Sequence, residues 1–138
     1  MTLAPGLTNQ IIITVQESET ARASGGELLP LVFSTPRLVS YLEKTAHESI
    51  VPYLVEGQSS VGTIVNVRHM AATPVGMQIR FTSELIAIEG RRLTFRVEAW
   101  DEAEQIAEGE HERFIIDLSR FNRRLTEKQS MLKGQGRT

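Results

Sequence analysis

The chain has 138 residues and a formal net charge of −2, and it contains no cysteine. A chain of this length fits one domain and can bury roughly two thirds of its unfolded surface. The lack of cysteine excludes disulfides, zinc–thiolate sites and a cysteine nucleophile. The near-neutral charge gives no general attraction to nucleic acid or anionic lipid, so an anionic ligand would need local basic residues.

The N-terminus and the apolar runs bear on location. The first ten residues, MTLAPGLTNQ, lack the basic region and the apolar run of a secretory signal. The longest apolar runs are a few residues, far short of a membrane span. We therefore expect a cytoplasmic protein with no membrane partner, folded as a single domain over residues 1–138.

The first predicted elements are a strand and a long helix. Residues 10–16 are apolar and β-branched, which favours a strand, and the polar residues 17–26 indicate a connection. A hydroxyl residue before Pro36 is typical of a helix start, with Thr35 as the N-cap. Apolar and small residues then recur every three or four positions, which predicts a helix over about 35–54 that kinks or stops early at Pro52: Leu38, Val39, Leu42, Ala46, Ser49 and Ile50.

The second half of the chain has strand character. Segments 58–72, 77–88, 91–100 and 105–118 are separated by turn sequences. We expect the helix to be followed by three long strands in hairpin succession, and the basic tail 119–138 to form a short helix that frays into disorder. This order predicts an α+β fold, a long central helix wrapped by a curved antiparallel sheet.

Glu43 is the first candidate for chemistry. It lies at the border of the apolar helix face, where most carboxylates are simply solvated or paired, here with His47 one turn later. If that border faces a cleft, partial burial would raise the pKa of the carboxyl group and suit it to general-base or nucleophilic work. The helix pattern alone leaves both interpretations open.

His69 and Thr35 are the other candidates. Strand alternation places His69 on the same face as Val61, Thr63, Val65 and Val67, so we expect an inward-facing ring that needs an acidic or hydroxyl partner from the helix. Thr35 is sufficiently explained as a cap. A helix N-terminus can nevertheless also polarise a carbonyl or stabilise an oxyanion.

Other known site patterns are absent from the sequence. It has no nucleophile elbow, P-loop, dinucleotide-binding or zinc-protease motif, and the three histidines lack metal-ligand spacing, so we expect no metal site. The pair Arg91-Arg92 lies beside a hairpin turn, where solvated charge is common. Arg113 is more notable, because it lies inside a strand.

Four segments carry a resemblance to a known family: FSTPRLVSYLE, VGTIVNVRHMAATPVG, EGRRLTFRV and GEHERFIIDLSRFN. Together they resemble the fluoroacetyl-CoA thioesterase-like branch of the hot-dog superfamily, over roughly residues 31–123. The most specific pieces are the HxAATPxG turn at 69–76 and the HER strand at 111–113. The resemblance implies a hot-dog fold, acyl-CoA thioester hydrolysis and a homodimer, with a tetramer as a further option, and an active site at the subunit interface.

The resemblance also implies roles for individual residues. The family's catalytic threonine, glutamate and histidine fall on Thr35, Glu43 and His69. The glycine that lines the acyl pocket falls on Gly62, and an arginine associated with the site falls on Arg113. No cofactor is implied, because coenzyme A is part of the substrate.

One departure from the family concerns the acyl pocket. The fluoroacetyl-specific enzyme closes that pocket with phenylalanines ahead of its helix, and Gly26 and Leu29 occupy the corresponding positions here. Leu29 could close an apolar lid only partly, so we expect a broader or different short acyl-CoA preference. Two alternatives stay open, a hot-dog acyl-CoA dehydratase or hydratase and a non-catalytic acyl-CoA-binding module.

Overall fold

A computed structural model describes residues 2–135, with side chains for residues 2–132. Five strands form one antiparallel sheet in the order β1-β3-β4-β5-β2. The strands are β1 (Thr8–Thr14), β2 (Gln58–His69), β3 (Gln78–Glu89), β4 (Arg92–Asp101) and β5 (Gln105–Asp117), and the helices are α1 (Ala21–Gly25), α2 (Thr35–Ile50) and α3 (Leu118–Gln135). The predicted α+β class is confirmed.

The central helix α2 starts at the predicted residue and stops early before Pro52, as expected, but its cap differs from the prediction. Its N-cap is Ser34, whose side chain accepts a hydrogen bond from the Arg37 N–H at 3.3 Å, so the cap assignment of Thr35 was wrong by one residue. This leaves Thr35 as the first helical residue with its hydroxyl free for another partner. The helix ends at Ile50 because Pro52, which has no N–H to donate, follows in a 3-10 turn over Val51–Tyr53.

The boundaries of other elements also differ from the predicted ones. The first strand is Thr8–Thr14 rather than 10–16, and the expected connection after it contains a 3-10 turn at Glu17–Glu19 and the short helix α1. The tail forms the 18-residue helix α3, longer than expected. The disorder expected for its last residues, 136–138, lies outside the described residues.

The meander prediction holds for β3, β4 and β5, which pair in succession. Strand β2 does not pair with β3, its neighbour in sequence. It crosses to the far side of the sheet and pairs with β5, and within residues 2–135 its other edge pairs with no strand. The isolated bridge between Val32 and Pro74 ties the chain before α2 to the turn after β2.

A bulge in β2 overturns part of the predicted alternation. Gly62 pairs with Arg113 and Ile64 with the adjacent Glu112, so Thr63 is the inserted residue. Val65, Val67 and His69 therefore share the helix-facing side with Ser60 and Gly62, while Val61 and Thr63 lie on the opposite side. The Thr63 hydroxyl accordingly donates to the Glu112 carboxylate at 2.6 Å.

The core lies between α2 and the concave face of the sheet. The helix contributes the buried residues Leu38, Leu42, Ala46 and Ile50, and α2 contacts β3 and β1 most extensively, with further contacts to β2 and β4. Burying such side chains contributes about 1.5–3 kcal/mol each. Because α2 is held by this stripe, its neighbouring face, which carries Thr35, Val39, Glu43 and His47 at four-residue spacing, is fixed toward β2 and β5.

Candidate active site

The first polar cluster is a contact between α2 and the end of β2. The Thr35 hydroxyl oxygen lies 2.9 Å from His69 Nδ1. Burial lowers the pKa of His69, and the Ala71 backbone offsets this shift only in part. His69 is therefore held neutral near pH 7, with one ring nitrogen able to accept a proton. Its Nε2 atom is buried without a hydrogen-bond partner among the described residues, a condition typical of functional sites.

The N-terminus of α2 offers one free donor beside this contact. Pro36 has no N–H, the Arg37 N–H is used by Ser34, and the Leu38 N–H donates to the Ser34 carbonyl at 3.0 Å. The Thr35 N–H alone in this first turn has no partner within the described part of the chain. With His69 Nδ1 protonated and donating to the Thr35 hydroxyl oxygen, the hydroxyl hydrogen is free, and it forms a two-donor site with the Thr35 N–H at the positive end of a helix dipole.

The turn that carries His69 is anchored from the opposite side. The buried Thr73 hydroxyl donates to the Asp101 carboxylate at 2.8 Å, and the Phe33 N–H donates to the Thr73 carbonyl at 2.8 Å. Burial acts to raise the pKa of Asp101, but the hydrogen bonds from the Ala103 N–H, the Thr73 hydroxyl and the Glu104 N–H together lower it below its ordinary value. The AATP turn is thereby fixed against the start of α2.

The second polar cluster surrounds Glu43. Its carboxylate lies 3.4 Å from Arg113 Nη1, and the side chains of the glutamate and arginine are 38% and 9% exposed. The alternative pair of Glu43 with His47 does not form, because the His47 ring lies 2.7 Å from the Ser60 hydroxyl. Glu43 is thus reachable from solvent while a buried cation holds one of its oxygens.

Glycine at position 62 makes room for that carboxylate. A Cβ atom at Gly62 would lie 2.5 Å from Glu43 Oε2 and 3.1 Å from His111 Cε1. The Glu43 carboxylate therefore lies directly over the Gly62 backbone, and any side chain there would displace it. The structure thus brings together three residues that the family resemblance assigned to the site: Gly62, Glu43 and Arg113.

The two clusters do not meet within one chain. Thr35 and Glu43 are eight residues apart on α2, a distance of about 12 Å along a helix axis. A thioester carbonyl is one small group, so it cannot contact both clusters of the same chain. No grouping of three or more metal-ligand side chains occurs among the described residues.

A family model described as fluoroacetyl-CoA-specific thioesterase (FlK) matches residues 15–119. The fluoroacetyl-CoA thioesterase of Streptantibioticus cattleyicolor is 42% identical over 99 residues, 72% of this chain and 71% of that protein. The chain belongs to this family. It is accordingly a thioester hydrolase, as the sequence resemblance implied.

Solved structures of related proteins agree with the assignment. A structure of the fluoroacetyl-CoA thioesterase matches with a TM-score of 0.88 and 34% identity, covering 93% of this chain and 98% of that chain. A thioesterase superfamily member from Thermus thermophilus matches with a TM-score of 0.83 and 29% identity, covering 94% and 98%. A hot-dog-like protein from Thermanaerovibrio acidaminovorans matches at 0.82 and 25%, covering 90% and 91%. The hot-dog fold is confirmed.

The segment before α2 carries the two expected lid positions, Gly26 and Leu29. Leu29 is half-exposed and covers the α-carbon of Gly25, so its side chain packs on its own segment. A cavity of about 290 Å³ lies beside Thr35 and His69, and neither Gly26 nor Leu29 is among its described lining residues, which include Ala21, Val32, Phe33, Ala71 and Ala72. The substrate-contacting role expected for Leu29 stays a prediction.

The sequence analysis missed two residues of the Glu43 cluster, Ser60 and His111, and gave His47 the wrong partner. Ser60 and His111 both contact Arg113 and are buried. The HER motif pointed to the arginine and gave no reason for the histidine two residues earlier. In a strand, residues two apart face the same side, and this spacing was the available signal.

Within the described residues no helix is long and apolar enough to cross a membrane.

Proposed function

We propose that the protein hydrolyses short acyl-CoA thioesters, with Thr35, Glu43 and His69 as catalytic residues of a site formed between two copies of the chain. The observation that carries this proposal is the Thr35–His69 contact at the N-terminus of α2, where a free N–H and a hydroxyl converge. Two such donors suit the oxyanion that forms when a thioester carbonyl is attacked. The proposal invokes no cofactor, since coenzyme A enters as part of the substrate.

Thioester hydrolysis by this site takes two steps. A Glu43 carboxylate oxygen attacks the thioester carbonyl carbon, and the Thr35 N–H and hydroxyl stabilise the oxyanion. Collapse breaks the carbon–sulfur bond and releases the thiolate, leaving an acyl–glutamyl anhydride. Neutral His69 then takes a proton from water, the hydroxide breaks the anhydride, and the proton passes to the thiolate. In a shorter route Glu43 itself takes the proton from water, which attacks the thioester directly.

The open edge of β2 supports a dimer that joins the two clusters. Ile64 and Val65, on that edge, are 52% and 42% exposed, and an apolar edge strand is a template for pairing with another chain. Antiparallel pairing about a two-fold axis at Asn66, with Thr63 again left over as the inserted residue, would set His69 of each chain opposite Gly62 of the other. Because paired residues share a face, His69 would then point toward the partner's Glu43.

A purified heterodimer tests this shared site. We expect a heterodimer of one Glu43→Gln chain and one His69→Ala chain to hydrolyse acyl-CoA at about half the wild-type rate, because one of its two sites keeps both residues. Each variant homodimer should be nearly inactive. Co-expression with two affinity tags and sequential purification isolates the heterodimer.

The reciprocal heterodimer is the control. A wild-type chain paired with a Glu43→Gln/His69→Ala chain should be nearly inactive, since each site then lacks one of the two residues. If the two residues act within one chain, the results reverse, with half activity in the control and none in the first heterodimer. That reversal would overturn the shared site while leaving thioester hydrolysis intact.

Substrate preference is tested by hydrolysis of a panel that includes acetyl-CoA, fluoroacetyl-CoA and longer or aromatic acyl-CoAs. Leu29 packs on Gly25, and neither lid position, Gly26 or Leu29, is among the described residues that line the cavity beside Thr35. We therefore expect kcat/KM for fluoroacetyl-CoA and acetyl-CoA to differ by less than about 100-fold, the discrimination that small apolar contacts supply. A selectivity of several orders of magnitude would contradict this expectation.

The same panel separates the alternatives. Hydration of crotonyl-CoA without thioester hydrolysis would favour the hydratase. Coenzyme A binding by calorimetry, without turnover of any acyl-CoA, would favour a binding module.

A further inference from the structure

Arg113 is a buried cation held at several points. Its Nε–H donates to the Ser60 hydroxyl at 2.7 Å and its Nη2 donates to the Ser60 carbonyl at 3.0 Å. Its Nη1 donates to His111 Nε2 at 3.1 Å and to Glu43 at 3.4 Å. Glu43 is its one carboxylate partner within 4 Å among the described residues. The guanidinium is therefore fixed by two neutral residues and aimed at a carboxylate.

The state of the His111 ring follows from its partners. His111 Nδ1 lies 2.8 Å from the Ile64 carbonyl, which can only accept, so Nδ1 carries a proton. Arg113 can only donate, so Nε2 must offer a lone pair. Both contacts are satisfied by one neutral tautomer alone. Burial and the Arg113 charge lower the pKa of His111, which agrees with this tautomer.

The β2 bulge supplies one of these contacts. The inserted Thr63 shifts the pairing of β2 by one residue, and the Ile64 carbonyl just after it is the group that His111 Nδ1 reaches. Bulges are typical devices for redirecting a side chain near an active site. The same irregularity places Gly62 under the Glu43 carboxylate.

We propose that His111 is a positioning residue for Glu43: its Nδ1–H is tied to the Ile64 carbonyl of the bulge, and its Nε2 lone pair aims Arg113 Nη1 at the catalytic carboxylate. The inference rests on the proposed role of Glu43. Arg113 is the one cation within 4 Å of the Glu43 carboxylate among the described residues, so the direction of its guanidinium helps to decide where the carboxylate rests. His111 itself is buried and does not touch the substrate.

A matched pair of substitutions tests each side of the ring separately. The amide of Gln reaches about as far as Nε2 and supplies an acceptor for Arg113, whereas the amide of Asn reaches about as far as Nδ1 and supplies only the donor for Ile64. We expect His111→Gln to keep kcat within about threefold and His111→Asn to lower it by about 10- to 100-fold, since misplacing a reacting group by 1 Å costs that much. KM should change little in both.

Two further measurements separate positioning from general damage. Glu112→Gln changes the residue between His111 and Arg113 on the opposite face of β5, and we expect near wild-type kcat. The ¹⁵N-labelled Arg113 Nε–H signal should move in His111→Asn and stay close to wild type in His111→Gln. Unfolding free energies of both His111 variants give the structural cost.

The outcomes decide the inference. Equal kcat losses in the two His111 variants, tracking their losses of stability, would make His111 merely structural and overturn the proposal. Failure of the wild type to hydrolyse any acyl-CoA would refute the proposed function instead. In that case the Arg113 signal still decides whether His111 aims the guanidinium.

Discussion

Glu43→Gln is expected to lower kcat at least 10²-fold while the protein stays folded. The substitution keeps the size of the side chain and removes both the nucleophilic oxygen and the base, and removing a general base typically costs 10²- to 10⁴-fold. Hydrolysis of the best acyl-CoA of the panel, with thiol release followed under saturating substrate, measures it. Glu43→Asp should recover a small part of the activity, because its carboxylate is one methylene short of its place over Gly62.

The stability cost of this change is expected to be small. Arg113 loses its carboxylate partner, but that carboxylate is 38% exposed, so solvent screens the pair. The remaining donors of Arg113 stay bonded to Ser60 and His111, and we expect a loss of about 1 kcal/mol in unfolding free energy.

A matched control lies one turn further along α2. Glu48 is exposed and lies 4.0 Å from Lys44, away from the site, so Glu48→Gln should leave kcat unchanged. Near wild-type turnover by Glu43→Gln, beside an unaffected Glu48→Gln, would remove Glu43 from the mechanism.

The sequence predicted the fold better than the details of its edges. The apolar stripe of α2 could be predicted from the sequence, because the residues that hold the helix to the sheet must be apolar and recur every three or four positions. The cap was misplaced because Ser34 and Thr35 both carry a hydroxyl, and only the backbone geometry selects Ser34. The pairing of β2 with β5 could not be predicted, because alternation shows which residues of a strand share a face and does not show which strand lies beside it.

The candidate site shows the same division. Strand alternation correctly placed His69 on the inner side, and the expectation of a hydroxyl partner matches the Thr35 contact. Alternation assigned Val61 and Thr63 to the wrong face of β2. The inserted residue in the bulge reverses the alternation from that point on, and a strand rich in Val and Thr has no sequence feature that marks the insertion. Glu43 and Arg113 are 70 residues apart, so only the family resemblance grouped them before the structure did.

Gly62→Ala is expected to reduce activity without unfolding the protein. Gly62 lies in a strand, in a conformation open to any residue, so the added methyl group brings no backbone strain. Its nearest neighbour would be the Glu43 carboxylate, the far end of a flexible side chain that can move aside. The largest displacement therefore falls on the catalytic oxygen, while the His111 ring, 3.1 Å from the added atom, has to give only slightly. We expect kcat to fall by about 10- to 100-fold, with unfolding free energy within about 1 kcal/mol of wild type.

Gly109→Ala provides the contrast on the neighbouring strand. A Cβ atom there would overlap the Asn66 carbonyl and lie 2.6 Å from the Val67 α-carbon, so the clash falls on the β2 backbone. A backbone cannot move aside as a carboxylate can, and overpacking of this kind costs about 1–3 kcal/mol. Chemical denaturation and steady-state kinetics on both variants should separate the effects, with the larger stability loss at Gly109 and the larger kcat loss at Gly62. Wild-type kcat in Gly62→Ala would mean that the position of the Glu43 carboxylate over Gly62 does not matter for the reaction.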